Sequence, residues 1–255
     1  MSVSIKSGRE IELMREAGRI LGNVLNELSK EIKPGMTTHR IDQLGEEMIR
    51  SYGCEPSFLG YGGFPASICV SVNEEVVHGI PSKKRILHEG DIVSMDAGVI
   101  YKGYHSDAAR TVGVGEISKE AQKLIEVTRQ SFFEGIQFAK EGCHLHEISN
   151  AIAAYNESFG FGVVRDLVGH GIGSELHEDP QIPNYKLERR GMKLYEGMTL
   201  AIEPMVAAGD YAVKWLDDDW TVVTADRSLA AHYENTVLVT KNGPEILSLA
   251  EGEIL

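Results

Sequence analysis

One repeat distance limits what this chain can fold into. Leu87, Glu89, Gly90 and Asp96 recur as Leu194, Glu196, Gly197 and Glu203, each 107 positions later. Lys33 and Gly35 recur at the same distance as Lys140 and Gly142, Ile41 as Ile148, and Tyr52-Gly53 as Phe159-Gly160. A single offset held across helix, turn and strand signals marks an internal duplication, which has to be recognised before any fold is assigned. We therefore expect one domain over residues 1–255, built from two similar halves, about 5–115 and about 116–250. Each half runs helix, helix, strands, and two such halves meet most simply across a pseudo-two-fold axis. The expected class is α+β, with one central antiparallel sheet and helices over one face.

Local signals fill in this plan. Ser7 and Glu10 form a capping box ahead of a helical stripe of Ile11, Met14, Ala17, Leu21, Val24, Leu25 and Leu28, and Pro34-Gly35 ends it. Thr37 or Thr38 caps a second helix, carrying Ile41, Leu44, Met48 and Ile49 as far as Gly53. Ser118 caps a third with Ala121, Leu124, Ile125, Val127, Phe132 and Ile136. Cys143-His144-Leu145-His146 has the look of a metal motif, but its counterpart Met36-Thr37-Thr38-His39 is a helix start, and so we read it. Ile92 to Met95 reads as a buried strand ending in Asp96, and a following strand brings Asp107. Ser57 to Pro65 is a glycine-rich loop, Cys69 to Val72 a strand, and Val76 to Pro81 follows. Val168 to Gly173 takes the corresponding place in the second half, and the tail from Gly243 reads as a short terminal strand without a site.

The chemistry follows from acids in apolar strands. A buried carboxylate is costly unless it is paired or bound to a cation. Asp96 and Glu203 are related by the repeat, and Asp107 to Val112 resembles Glu234-Asn235-Thr236-Val237. Any one acid could be held by a lysine or arginine, but the doubled pair points to a cation site. His170, between Gly169 and Gly171, adds an imidazole. Four carboxylates and one histidine exceed what one divalent ion needs and suit two ions about 3.5–4 Å apart sharing bridging carboxylates. Neither a Gly-x-Ser-x-Gly elbow nor a Walker loop competes for the nucleophile's role. A net charge of −13 disfavours nucleic acid and anionic membranes as partners. Three cysteines, no apolar signal segment and no run near the roughly 20 residues that span a bilayer lead us to expect a cytoplasmic protein. Asp217-Asp218-Asp219 is expected to be a solvated turn, and Lys83-Lys84-Arg85 an exposed loop, with transient ribosome contact as its alternative.

The ordered set HGIP, DAG with SDAARTVGVG, GHGIG with LHEDP, LAIEPM and YENTV resembles the methionine aminopeptidases, within them the bacterial type I group, over essentially the whole chain. That resemblance implies the pita-bread fold and removal of the initiator methionine from nascent chains when the second residue is small. It also implies two divalent ions (cobalt, manganese, iron or zinc) and a bridging hydroxide that attacks the scissile carbonyl. Position by position, Asp96, Asp107, His170, Glu203 and Glu234 would be metal ligands, with Asp107 and Glu234 bridging and Asp96 chelating the second ion beside the substrate's α-amine. Glu203 would also shuttle the proton, His177 would donate to the carbonyl or tetrahedral intermediate, and His78 would contact the substrate backbone. Phe58, Tyr61, Phe64, Cys69 and Trp220 would line the methionine slot, which suits a polarisable thioether. Phe58 stands where some relatives have cysteine, and Leu176 where phenylalanine is common. A monomer is expected. The alternatives are a prolidase or creatinase relative, whose extra N-terminal domain this chain has no room for, and an inactive binding module of the same fold.

Overall fold

The computed structural model describes residues 3–253; the first two residues of the N-terminal segment and the last two of the tail lie outside it. Its four helices are α1 (Gly8–Glu31), α2 (Thr38–Ser51), α3 (Lys119–Ile136) and α4 (Leu145–Ser158). Their starts follow the capping chemistry: the Ser7 amide donates to Glu10 at 2.7 Å, Thr37 Oγ1 accepts from the Arg40 amide, and Ser118 Oγ from the Ala121 amide. His144 caps α4, so the Cys143–His146 run is a helix start.

Strands β1 (Glu55–Pro56), β2 (Ile68–Val72), β3 (Glu75–Val77), β4 (Ile92–Tyr101) and β5 (Tyr104–Gly113) come first. After α4 come β6 (Gly162–Val163), β7 (Gly169–Gly171), β8 (Glu178–Ile182), β9 (Thr199–Ile202) and β10 (Met205–Ala207). The last are β11 (Val213–Trp215), β12 (Val222–Thr224), β13 (Ala230–His232), β14 (Glu234–Val239) and β15 (Pro244–Ile246). The main sheet has the order β2-β4-β5-β14-β9-β7-β8, with β1 also on β4 and β15 also on β14, and every pairing is antiparallel. Two smaller sheets, β13-β10-β6 and β11-β12-β3, complete it. This is the expected α+β arrangement, with β5 and β14 side by side at its middle.

Strand alternation separates the two faces. Val93, Met95, Ala97 and Val99 of β4 pack into one core with Leu21, Leu25 and Leu28 of α1 and Ile41 and Ile49 of α2. Leu200 and Ile202, 107 positions beyond Val93 and Met95, pack in the same way with Phe132 and Ile136 of α3 and Ile148 and Ile152 of α4. Each such fully buried side chain contributes about 1.5–3 kcal/mol. Ser94, Asp96 and Gly98 alternate with the core residues and face away from the helices.

Backbone register refines three expectations. First, β4 does not end at Asp96 but runs on to Tyr101, so the acid sits in mid-strand. Second, His170 opposes Ala201, and Ser71 opposes Ser94, 107 positions before Ala201. The counterpart of β7 is therefore β2; the 76–81 segment instead sends β3 to a small sheet. Third, Asp107 opposes Gly98 while His232 opposes Met205, again 107 positions apart. The residue in Asp107's register position is His232, and Glu234 stands at that of Ala109. Hydroxyl contacts repeat the relation: Thr236 Oγ1 accepts from the Asp107 amide and donates to its carbonyl, both at 2.9 Å. Thr111 Oγ1 does the same to His232, at 2.9 and 2.8 Å.

The tail carries the expected short strand. Only Pro244–Ile246 is strand, and the chain then passes behind α1. A Cβ on Gly18 would lie 2.3 Å from the Leu247 carbonyl oxygen, so a glycine is needed for this approach. Gly18→Ala is expected to destabilise by about 1–2 kcal/mol, because overpacking against backbone outweighs a helix-propensity gain of about 1 kcal/mol. Gly8→Ala, which meets nothing within 4 Å, should be neutral or slightly stabilising; urea unfolding of both variants checks the pair.

Candidate metal centre

The two central strands and their flanks aim acids at one point. Asp96 comes from β4, Asp107 from β5 and Glu234 from the start of β14. Glu203 follows β9, where Pro204, with no amide hydrogen, interrupts the strand before β10. His170 sits in β7, and its Nδ1 contacts the Gly171 carbonyl at 2.9 Å. Its Nε2 lies 3.8 Å from Asp107 Oδ2 and 3.7 Å from Glu203 Oε1. These separations exceed a hydrogen bond but fall within the roughly 4.2–4.4 Å that two ligands can span across a shared ion.

The site's electrostatics call for a cation. Asp96, Asp107 and Glu234 are buried, and Asp96 Oδ1, Asp107 Oδ1 and Glu234 Oε1 have no hydrogen-bond partner among the described residues. The cluster's ion-pair contacts there are with imidazoles, not with lysine or arginine, which disposes of the ordinary salt-bridge alternative. Burial pushes Asp96 up to about 7; burial and neighbouring carboxylates hold Asp107, Glu203 and Glu234 well above their usual range. Burial depresses His170 to about 3 and His78 to about 4, leaving both as neutral rings with a lone pair to give. Orphaned carboxylate oxygens beside neutral imidazoles are a donor set that fits hard or borderline divalent ions.

All twelve expected site residues line a single cavity of about 170 Å³. His78 enters it from a left-handed backbone conformation (φ 58°) at the end of β3, with Gly79 tied to Ser71 Oγ at 3.1 Å. The His177 ring lies 4.2 Å from that of His170, and its Nδ1 is 2.8 Å from the Tyr61 hydroxyl. Phe58, Phe64, Cys69 and Leu176 form one apolar cluster, edged by Trp220, whose ring meets Phe64 edge-on at 5.1 Å. Burial raises the Cys69 thiol, so it acts here as a small apolar group.

Sequence reasoning missed one residue. His232, 1% exposed, places Nε2 3.7 Å from Glu234 Oε2 and 3.8 Å from Glu203 Oε2. Aligning Thr111-Val112 with Thr236-Val237, instead of acid with acid, would have exposed it. The remaining suspects are structural: Asp218 caps its own turn through Thr221 and Trp220, and Lys83 to Arg85 are exposed.

Residues 12–241 match the model of metallopeptidase family M24. The chain belongs to that family. It is 62% identical over 249 residues to a methionine aminopeptidase of Clostridium acetobutylicum, covering 98% of this chain and 100% of that one. The crystal structure of a methionine aminopeptidase from Thermotoga maritima superposes with a TM-score of 0.95 at 48% identity, over 97% of this chain and 100% of the other. An Xaa-Pro dipeptidase from Bacillus anthracis superposes at 0.78 and 26% identity, over 98% of this chain and 63% of that one. The M24 member described here shares their pita-bread fold, and membership implies divalent metal binding. No helix among its described residues is long and apolar enough to cross a membrane.

A pH dependence follows from the crowded acids. The unfolded chain's imidazoles lose their last protons by about pH 8, so the stability that burial of the neutral rings adds is complete there and they contribute no slope at higher pH. The acids' folded pKa values lie above their unfolded ones, so the stability contributed by their protons is complete below about 3.8. It is lost as pH rises through about 7 for Asp96 and higher for its neighbours. Metal-free protein should therefore melt at progressively lower temperature from about pH 8 to about 9, as Asp107, Glu203 and Glu234 lose their protons, and a divalent ion should remove most of that slope. Thermal unfolding followed by circular dichroism is the check, and a flat metal-free curve would contradict the crowding.

Proposed function

We propose that this chain is a metal-dependent aminopeptidase that hydrolyses the first peptide bond of proteins beginning with methionine when the second residue is small. One observation carries this reading: the acid and histidine cluster and the aromatic slot are two walls of the same cavity. The slot suits an unbranched thioether, whose sulfur makes favourable contacts with aromatic rings. The likeness to methionine aminopeptidases, closer than that to the Xaa-Pro dipeptidase, supports the same substrate class.

Asp107 and Glu234, on the central strands, would be shared by two ions; His170 and Glu203 would complete one site and Asp96 the other. Two such ions supply polarisation of the scissile carbonyl and a water acidified enough to be the nucleophile near neutral pH. Manganese, iron, cobalt and zinc all match the donors, and availability decides among them. Asp96, at the slot's inner edge, would anchor the free α-amine, which restricts cleavage to the first bond. Glu203, 13% exposed and with a raised pKa, can take a proton from the attacking water and pass it to the leaving amine. Burial keeps His177 neutral, and the Tyr61 phenol, its own pKa raised, donates to Nδ1. The Nε2–H would then be the ring's free donor for the developing oxyanion. His78 would hold the substrate backbone. The protein would act in the cytoplasm as a monomer.

Release of methionine from Met-Ala-Ser by metal-loaded protein, without cleavage of Xaa-Pro dipeptides, is the expected result. Cleavage of Xaa-Pro alone would favour the dipeptidase reading, and failure to act on either, with no ion bound, a binding module. His177→Ala should lower kcat about 10²- to 10³-fold with a small change in KM, as loss of one oxyanion donor does. Tyr61→Phe should lower it far less, and steady-state kinetics on the same tripeptide separates the two.

A further inference from the structure

We propose that His232 is a sixth metal-binding side chain, its Nε2 joining Asp96 and Glu234 around the ion on the Asp96 side. The inference rests on the metal-centre reading above and adds a ligand that the sequence resemblance does not supply.

Three independent observations carry it. The first is spacing. Ligand atoms of Asp96, His232 and Glu234 all lie within 4.8 Å of one another, as do those of Asp107, His170 and Glu234. His232 Nε2 stands 3.7 and 3.8 Å from two carboxylates, the same separations at which His170 Nε2 stands from its own two. Both rings lie against Glu203, His170 beside Oε1 and His232 beside Oε2, and each has a second carboxylate of its own, Asp107 for His170 and Glu234 for His232.

The second is unsatisfied chemistry. His232 is 1% exposed, and neither ring nitrogen has a hydrogen-bond partner among the described residues. A histidine buried for packing alone is normally hydrogen-bonded. An ion at Nε2 would satisfy one of these nitrogens and leave the proton on Nδ1.

The third is position. His232 occupies the register of Asp107, and Thr111 holds its backbone as Thr236 holds that of Asp107. The fold thus presents a side chain at this point twice, once as a carboxylate and once as an imidazole. With His232 added, each ion would have one imidazole. A nitrogen ligand on the Asp96 side would shift its preference toward zinc, cobalt and iron over purely oxygen-seeking ions.

Proton NMR of the protein loaded with two equivalents of Co(II) tests this. Coordinated imidazoles give far-shifted, exchangeable N–H resonances, and two are expected, one of which disappears in His232→Gln while His177→Gln retains both. Calorimetric titration of Co(II) into the metal-free protein should show one of two binding events weakened at least about 10-fold in His232→Gln. A single shifted N–H in the wild type, or two unaltered binding events in His232→Gln, overturns the proposal and leaves the two-ion centre standing. Absence of any shifted N–H would remove the His170 assignment as well. The wild-type count does not depend on how well the variant folds.

Discussion

Like charges crowded in a place with little water are what the rest of this structure has to accommodate. Asp96, Asp107, Glu203 and Glu234 converge where, among the described residues, no lysine or arginine forms an ion pair with their carboxylates. Each would prefer to hold its proton, and several of their oxygens have no partner. Packing alone does not make such an arrangement favourable, since uncompensated buried charge costs several kcal/mol per group. It becomes favourable when a divalent cation supplies the missing positive charge, and metal affinity and conformational stability are then coupled.

The scaffold keeps the cluster from relaxing. Two helix pairs cover the other face of the sheet, so the strands cannot twist their acids away without opening two apolar cores. Across the middle of the sheet, Thr236 and Thr111 fasten the backbones of Asp107 and His232. On the open face, the same cavity turns apolar within one side chain of Asp96, through Cys69, Phe58 and Phe64. A centre fitted to divalent ions thus borders an apolar slot. Under the proposed function, that adjacency would make the exopeptidase selective for the first residue.

Much of this was legible in the residues. The 107-residue offset pointed to paired helices and paired strands, and helix starts followed from Ser7, Thr37 and Ser118, because capping is a local interaction. The acids stood out because carboxylates in apolar strands demand an explanation. His232 did not, since a lone histidine beside a tyrosine carries no local signal. Its place shows only when Thr111-Val112 is aligned with Thr236-Val237, two residues away from the acid-on-acid alignment, and hydrogen-bond register decides between the two. The pairing of β7 with the main sheet and the route of the tail behind α1 were hidden for the same reason.

By itself the sequence determined the class of fold and the acid set, because these depend on periodicity, local capping and residue chemistry read along the chain, and its ordered motifs carried the resemblance to the family. The tertiary structure decided which side chains share a centre. That choice depends on strand register and on the crossing of distant segments, where a shift of two residues replaces one donor with another. Whether a buried group is satisfied is likewise a property of its surroundings in space, and the unpartnered nitrogens of His232 show only there.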